Sequence, residues 1–196
     1  MGRSALQQNA ASNNTGIGRD ALAANTTGGD NVAVGSGALD ANTTASENVA
    51  VGKDALTDNT TGTSNTAVGR MALGNKTTAS GNTAVGTDAL FTNTTGASNV
   101  AMGHNAMFAN TTGNYNVAIG ENALDANTDG GTNIAVGYAA LGSNTSGIRN
   151  NAHGHGALGS NTTGGRNVAV GYAALNASTT NSYLTAVGKK ALTVNT

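Results

Sequence analysis

The sequence predicts an all-β protein, a parallel β-solenoid or β-roll of eleven coils with 17 residues each. The Asn that opens each unit recurs at every seventeenth position from Asn14 to Asn167 without an insertion, and an eleventh unit starts at Leu184 and is cut off by the chain end. Disorder does not require a constant spacing between repeats, so this regular period argues against a disordered low-complexity chain. The period is also too short for the paired helices of α-solenoids, which leaves a stacked β array.

Each unit is predicted to contain a strand, a bend with a second short strand, and a turn. The segment NVAVG is β-branched and ends at Gly, which favours a strand, whereas the following xxAL is too short for a helix. The segment NTTG is typical of a turn, because Asn and Gly accept left-handed conformations. Residues 14–196 should therefore form one solenoid domain with a truncated last coil, preceded by an irregular segment or partial coil over residues 1–13.

Val34 and Leu39 represent the two large apolar residues of each unit, in its fourth and ninth columns, and we expect both to fill the coil interior. Burial is worth about 1.5–3 kcal/mol for each such side chain, which is less than the cost of ordering a whole coil. Coils must therefore stack to be stable. The residues represented by Ala33 and Ala38 either fit a thin interior or form flat ladders that contact a neighbouring chain.

Several columns hardly vary and are predicted to be structural. The fifth column is Gly in every unit, which indicates a positive φ or a close backbone approach. The eighth is Ala, the ninth is Leu except for Met107, the twelfth is mostly Asn and the thirteenth is Thr. In the second to fifth units these residues are Gly35, Gly52, Gly69 and Gly86; Ala38, Ala55, Ala72 and Ala89; Leu39, Leu56, Leu73 and Leu90; Asn42, Asn59 and Asn93; and Thr43, Thr60 and Thr94.

The twelfth-column Asn lies in the sequence NTT and has two interpretations. One is an N-glycosylation site, which would recur at Asn25, Asn42, Asn59, Asn93, Asn110 and Asn161. The other is a ladder of stacked amides, which we also expect for the first-column Asn residues beginning with Asn31, each bonding to the backbone of a neighbouring coil at a turn and worth about 0.5–1.5 kcal/mol per hydrogen bond. We favour the ladder, because the Thr persists where Lys76 or Ser178 replaces the Asn.

The pattern NVAVGxxAL resembles the head repeats of trimeric autotransporter adhesins, whose units read approximately Asn-Ser-Val-Ala-Ile-Gly followed by a short turn and a small residue. Similar repeats occur in phage tail fibres and related bacterial surface fibres. The resemblance spans nearly the whole chain and implies a left-handed parallel β-roll, in which three chains pack side by side, with a role in attachment. Adhesin units are usually shorter, and the NTTGxx segment is additional here.

Composition narrows the choice of partners and location. With 9 basic and 10 acidic residues, the chain has a formal net charge of −1, and we expect no nucleic-acid partner. No apolar run is long enough for a signal peptide or a membrane span, so we expect no membrane insertion by this segment. The resemblance implies a location outside the cell, on a cell surface or in a virion fibre.

No catalytic constellation is found, and we expect a non-enzyme without a cofactor. Asp20, Asp54 and Asp88 share the seventh column but lie on alternate coils, about 10 Å apart, which is too far for paired carboxylates to share a proton or a metal. No Ser is in phase with both a His and an acid.

Two functions remain for such a rod. The first is a structural or adhesive fibre segment, assembled as a homotrimer, that attaches to a surface, a host glycan or a protein. The alternative is an ice-binding β-solenoid that uses regular Thr ladders, although adjacent Thr residues in an extended NTTG segment would face opposite sides.

A partner would contact the variable columns, of which the sixth is expected to face solvent. Phe91 and Phe108 share the tenth column on neighbouring coils, and Tyr138 and Tyr172 share the sixth column on alternate coils. Outward rings are candidate carbohydrate platforms. The alternative is that they are isolated surface aromatics that cover turns, because single exposed apolar residues are normal.

One unit departs from the pattern: NNAHGHGAL carries Asn151 and His153 where the other units carry Val, Ile or Thr, and Val, Ile or Met. His153-Gly-His155 resembles the His-x-His element of phage tail fibre tips, which implies an axial transition metal held by imidazoles from three chains. Residues two apart in a strand point the same way, as this requires. We favour a buried, hydrogen-bonded or water-bridged His153, because a metal needs convergent ligands.

Overall fold

The computed structural model describes residues 2–75 and 77–193 and contains eleven parallel strands, stacked in chain order as one sheet. Each strand pairs with the next at a step of 17 residues, as in Val32 with Val49 and Ala33 with Ala50. The chain is therefore a β-solenoid with in-register coils, as the period predicts. No helix among the described residues is long and apolar enough to cross a membrane. The strands are β1 (Thr15–Ile17), β2 (Val32–Val34), β3 (Val49–Val51), β4 (Thr66–Val68), β5 (Thr83–Val85), β6 (Val100–Met102), β7 (Val117–Ile119), β8 (Ile134–Val136), β9 (Asn151–His153), β10 (Val168–Val170) and β11 (Thr185–Val187).

The segment after each strand is a series of turns, so the prediction of a second short strand there is wrong. Asp88 and Leu90 have φ values of 56° and 52°, and the same left-handed conformations recur in the seventh and ninth columns of the other coils. Such a conformation costs a non-Gly residue about 1–2 kcal/mol and cannot belong to an extended strand. Hydrogen bonds between coils continue nonetheless, because Leu90 N donates to Ala106 O at 3.0 Å.

The interior is filled by Ala, Leu and Asn, so the prediction that Val34 lies inside is wrong. Ala33, Ala38 and Leu39 are completely buried, and their equivalents are buried along the rod as far as Leu175. Ala33 is the middle residue of β2, and alternation along a strand therefore directs Val32 and Val34 to the outside. The two Ala ladders form part of the core and are not available to contact another chain.

Two ladders of Asn side chains share this interior. Asn110 Nδ2 donates to Asn93 Oδ1 of the preceding coil at 2.8 Å and to Gly113 O of its own coil at 3.1 Å. In the first column, Asn116 N donates to Asn99 Oδ1 at 2.9 Å. The predicted ladders are confirmed, and their amides are buried, as polar groups with partners can be. In the twelfth column, however, the bond between coils joins two side chains, and the backbone acceptor belongs to the same coil. The side chains of all six candidate glycosylation residues are enclosed in the core.

The invariant Gly and Thr columns also join adjacent coils. Gly86 has the expected positive φ, 136°, and a Cβ there would lie only 2.5 Å from Gly103 O of the next coil. Thr94 Oγ1 donates to Thr111 O at 3.0 Å, and Thr111 Oγ1 donates to Thr128 O at the same distance. Both columns therefore depend on contact with a neighbouring coil.

The described residues before β1 continue the solenoid as a partial coil that is one residue shorter. Leu6 N donates to Ala21 O at 3.0 Å, as ninth-column residues do elsewhere. Asn25 Nδ2 donates to Asn9 Oδ1 across a separation of 16 residues instead of 17. Leu6 packs against the core, so the first complete coil is covered at this end.

Candidate functional site

The first and third residues of strands β1–β11 form one outward surface, here termed the apolar face. Val, Ile, Met or Thr occupies these positions in every strand except β9. Ile17, Met102 and Ile119 are exposed by 54%, 42% and 39%, although each lies in a sheet. Because a contiguous apolar surface of this kind is rare on monomeric proteins, the apolar face is a candidate interface.

Strand β9 places two polar side chains on the apolar face. His153 lies between Val136 and Val170 in the sheet register, and its side chain is exposed, so the prediction of a buried His153 is wrong. The Oδ1 atom of Asn151 is buried and accepts no hydrogen bond from any described residue. The apolar face therefore has one polar interruption, with an acceptor that lacks a partner in the single chain.

The two imidazoles of the His-x-His sequence have different surroundings. Strand β9 ends at His153, and Gly154 has a φ of 131°, so the alternation of a strand does not extend to His155. His155 contacts aromatic rings of the adjacent coils instead. In the described part of the chain, no group of three or more His, Cys, Asp or Glu side chains could hold a metal ion. The residues of one chain therefore do not fit the predicted His-x-His geometry.

Tyr138, His155 and Tyr172 form what we term the aromatic ladder, on three consecutive coils. The His155 ring lies edge-on between the tyrosines, with centroid distances of 4.9 Å to Tyr138 and 5.1 Å to Tyr172. Lys189 Nζ extends this series at 5.9 Å from the Tyr172 ring. The two tyrosines remain about half exposed. His155 thus joins the two predicted tyrosines into one continuous surface.

A trough of about 610 Å³, lined in part by His155, runs along the rod beside the aromatic ladder. Its middle is open because Gly142 and Gly159 occupy the tenth column on adjacent coils, where every other described coil except that of Gly74 carries a larger residue. Ser143 and Ser160 are among the residues that line it. The trough thus exposes backbone and hydroxyl groups that bulky residues would otherwise cover.

Asp125 and Asn176 occupy the same tenth column at the two ends of this gap, three coil steps apart. Asn176 Nδ2 donates to Gly156 O at 2.8 Å, which directs the amide over the trough floor. Partial burial raises the pKa of Asp125 above its ordinary value, although hydrogen bonds from backbone amides oppose the shift. The trough therefore carries a partly desolvated carboxylate at one end and an amide at the other.

Phe91 and Phe108 form a separate pair on the two coils that precede Asp125 in the tenth column. Their rings stack with a centroid distance of 5.5 Å and an interplanar angle of 16°. Phe108 is exposed by 37%. The four aromatic residues predicted to contact a partner therefore belong to two clusters, of which only the aromatic ladder adjoins the trough.

Near the other end of the rod, Asp40 lies among Asp20, Asp54 and Asp58. Burial, followed by the negative charges of these three neighbours, raises the pKa of Asp40 above its ordinary value. The mutual repulsion of these carboxylates therefore makes the stability of this end of the rod depend on pH.

The trough was not predicted, although its signal is present in the aligned units. Gly142 and Gly159 are successive glycines in a column that otherwise varies, and small residues flank them in the seventh and eleventh columns. The apolar face was missed because the strand residues were assigned to the wrong side.

Comparisons of the chain with protein-family models, curated proteins and solved structures found no match. The functional argument therefore depends on the fold and on these two surfaces.

Proposed function

We propose that the chain is a non-catalytic segment of an attachment fibre, located on a cell surface or a virion, in which three parallel copies associate through the apolar face. The apolar face carries this proposal: it runs along all eleven strands, outside a core that is already complete. Association would remove this surface from water at about 25 cal/mol per Å². The variable surface around the trough then remains available for a glycan or a protein.

The dimensions of the rod support a role as a fibre segment. Eleven strands about 4.8 Å apart give a length of about 50 Å. Each coil bonds to its neighbours through backbone, Asn and Thr hydrogen bonds, for example from Asn127 Nδ2 to Asn110 Oδ1 at 2.8 Å. A rod of this kind resists bending and spaces its two ends at a fixed distance.

Asn151 and His153 favour a parallel, in-register arrangement of the copies. In that arrangement the three polar pairs meet at one height, so that each exposed His153 faces polar side chains of the other copies. A shift of one coil would place them against Val168 and Val170 instead. Single polar residues in apolar interfaces fix register in coiled coils by this mechanism. Elemental analysis of untagged protein tests the predicted axial metal: about one transition-metal ion per three chains would support it, and metal-free trimers would remove it.

The mass in solution tests this assembly. Light scattering at micromolar concentration should give three times the chain mass of 19.0 kDa. Val85→Glu introduces a charge into the apolar face and should yield monomers with an unchanged circular-dichroism spectrum. Thr87→Glu, two residues further on and in the sixth column, is the matched control and should remain trimeric. A monomeric parent protein, or equal masses for both variants, would remove the trimer.

The ice-binding alternative has less support from the Thr ladder. Thr94, Thr111 and Thr128 each donate their hydroxyl hydrogen to a carbonyl oxygen of the next coil. Those donors are consequently not available to order a water layer. Thermal hysteresis at millimolar protein would favour ice binding, and the fibre proposal expects none.

A further inference from the structure

We propose that the trough and the aromatic ladder together bind a neutral saccharide of two or three sugar rings. This inference rests on the attachment function proposed above, since it specifies the class of ligand that the variable surface contacts. The trough extends from Asp125 to Asn176, a span of three coil steps or about 14 Å. Its volume of about 610 Å³ falls within the range of small-ligand sites.

The polar side chains that line the trough can form hydrogen bonds with the hydroxyl groups of a sugar. Asp125 supplies carboxylate acceptors, Asn122 and Asn176 supply amides, and Ser143 and Ser160 supply hydroxyls that both donate and accept. Sugar hydroxyls need such mixed partners at close intervals. A purely apolar ligand would leave these groups without hydrogen bonds and is therefore disfavoured.

The aromatic ladder supplies the apolar complement to these polar groups. A pyranose ring has a face of C–H groups that packs against an aromatic surface, while its hydroxyls point outward around the ring. Tyr138 and Tyr172 are half exposed and are held in place by edge contacts to His155, which itself lines the trough. Because these rings are already ordered, little side-chain entropy would be lost when a sugar binds.

The charges favour a neutral ligand over an anionic one. No Lys or Arg is among the residues that line the trough in the described structure, and Asp125 is its one charged group. A phosphate, sulfate or uronic acid would therefore meet a carboxylate without a balancing cation. Neutral hydroxyls, in contrast, can donate to a carboxylate, and hydrogen bonds to an ionised acceptor are about twice as strong as neutral ones.

The tenth column provides a blocking variant that the fold tolerates. Gly142 does not have a positive φ, and its nearest neighbour to an added Cβ is Ala139 O at 3.2 Å. Phe occupies the equivalent position at Phe91 and Phe108 in the same rod. Gly142→Phe should therefore fill the trough without breaking the coil. Thr57→Phe introduces the same side chain in the same column, four coil steps from Asp125, and is the matched control.

The test uses the full chain and neutral β-1,4- and α-1,4-linked hexose trisaccharides, with a sulfated and a sialylated trisaccharide as charged probes, in calorimetric titrations up to 10 mM. We expect at least one neutral trisaccharide to bind to the parent protein. Gly142→Phe should weaken the affinity for that trisaccharide at least tenfold, and Thr57→Phe should leave the affinity within twofold of the parent value. Asp125→Asn should weaken binding about three- to tenfold. Circular dichroism and light scattering of each variant confirm that fold and assembly are unchanged.

Three results would overturn the proposal. They are that no neutral trisaccharide binds, that a charged trisaccharide binds with the same affinity as the neutral one, or that Gly142→Phe binds the neutral trisaccharide with the affinity of the parent protein. In each case the mass measurement still decides the fibre assembly separately. Saccharide binding by a monomeric parent protein would support this site while removing the trimer, so failure of one proposal is distinguishable from failure of the other.

Discussion

Adding a single methyl group at Gly86 should destabilise the rod more than a surface substitution does. The φ of 136° at Gly86 is a conformation that L side chains rarely adopt, which costs about 1–3 kcal/mol. The new Cβ would also lie 2.5 Å from Gly103 O and 2.7 Å from Gly103 C. Overpacking of this kind costs a further 1–3 kcal/mol, approximately, so Gly86→Ala should lower the free energy of unfolding by about 2–6 kcal/mol.

The neighbouring coil cannot move away without losing hydrogen bonds. Gly103 N donates to Val85 O at 2.8 Å, and Asn105 N donates to Thr87 O at 3.1 Å, both across the boundary between the two coils. Gly29→Ala is the matched control, because Gly29 lacks a positive φ and its added Cβ would be 3.5 Å from Ser12 O, an ordinary contact. That variant should stay within about 0.5 kcal/mol of the parent.

Guanidinium-induced unfolding at fixed protein concentration, followed by circular dichroism, measures both variants. In a thermal melt, the corresponding drop in melting temperature for Gly86→Ala is about 4–24 °C at 2–4 °C per kcal/mol. If Gly86→Ala and Gly29→Ala shift the midpoint equally, the close contact between Gly86 and the next coil is not rigid, and the role assigned to the fifth column is wrong.

Three further predictions concern the Asn ladder, the left-handed turns and the acidic cluster. Asn161 Oδ1 is buried without a hydrogen-bond partner among the described residues, and Ser178→Asn would supply the missing amide donor. This variant should therefore raise the free energy of unfolding by about 1 kcal/mol. An unchanged free energy in guanidinium-induced unfolding would argue against the ladder. Ala173 has a left-handed φ of 52°, so Ala173→Gly should raise the free energy of unfolding by up to about 1 kcal/mol. Ala174→Gly removes a buried methyl group and should lower the free energy of unfolding. Changes of the same sign in the two variants would contradict this assignment. Asp40 has a raised pKa, mainly through burial, so its contribution to stability is present below its ordinary value of 3.8 and is lost as pH rises through the raised value. Asp40→Asn should therefore raise the melting temperature at pH 7 and change it little at pH 3, and an equal gain at both pH values would show that its ionisation is not responsible.

The repeat alone was sufficient to predict the stacking and the register. A fixed step of 17 residues aligns identical residues on adjacent coils, and the structure pairs Ala84 with Ala101 and Ala101 with Ala118 accordingly. The Asn ladders follow from the same alignment, since only a stacked neighbour provides regular partners for so many amides. These features depend only on the step from one coil to the next, and the 17-residue period of the sequence specifies that step.

The trough and the aromatic ladder were predictable only in part. The shared columns identify Tyr138 and Tyr172, and the exposure of the sixth column is confirmed. The opening over Gly142 and Gly159 depends on how neighbouring side chains leave space beside the rings, which residue types in one column do not specify. His155 was considered as a metal ligand because the sequence alone does not show that it lies between two tyrosines.

The sequence by itself determined that the chain forms coils, how many residues each coil contains and which residues stack; the tertiary structure decided which side of each strand faces inward. In a segment such as Val32-Ala33-Val34, apolar residues occupy both sides, so alternation gives no preference. Left-handed turns at residues such as Leu39 curve the chain so tightly that Leu and Asn fill most of the interior, and only Ala fits beside them. The larger Val side chains are consequently placed outside, where they form the apolar face.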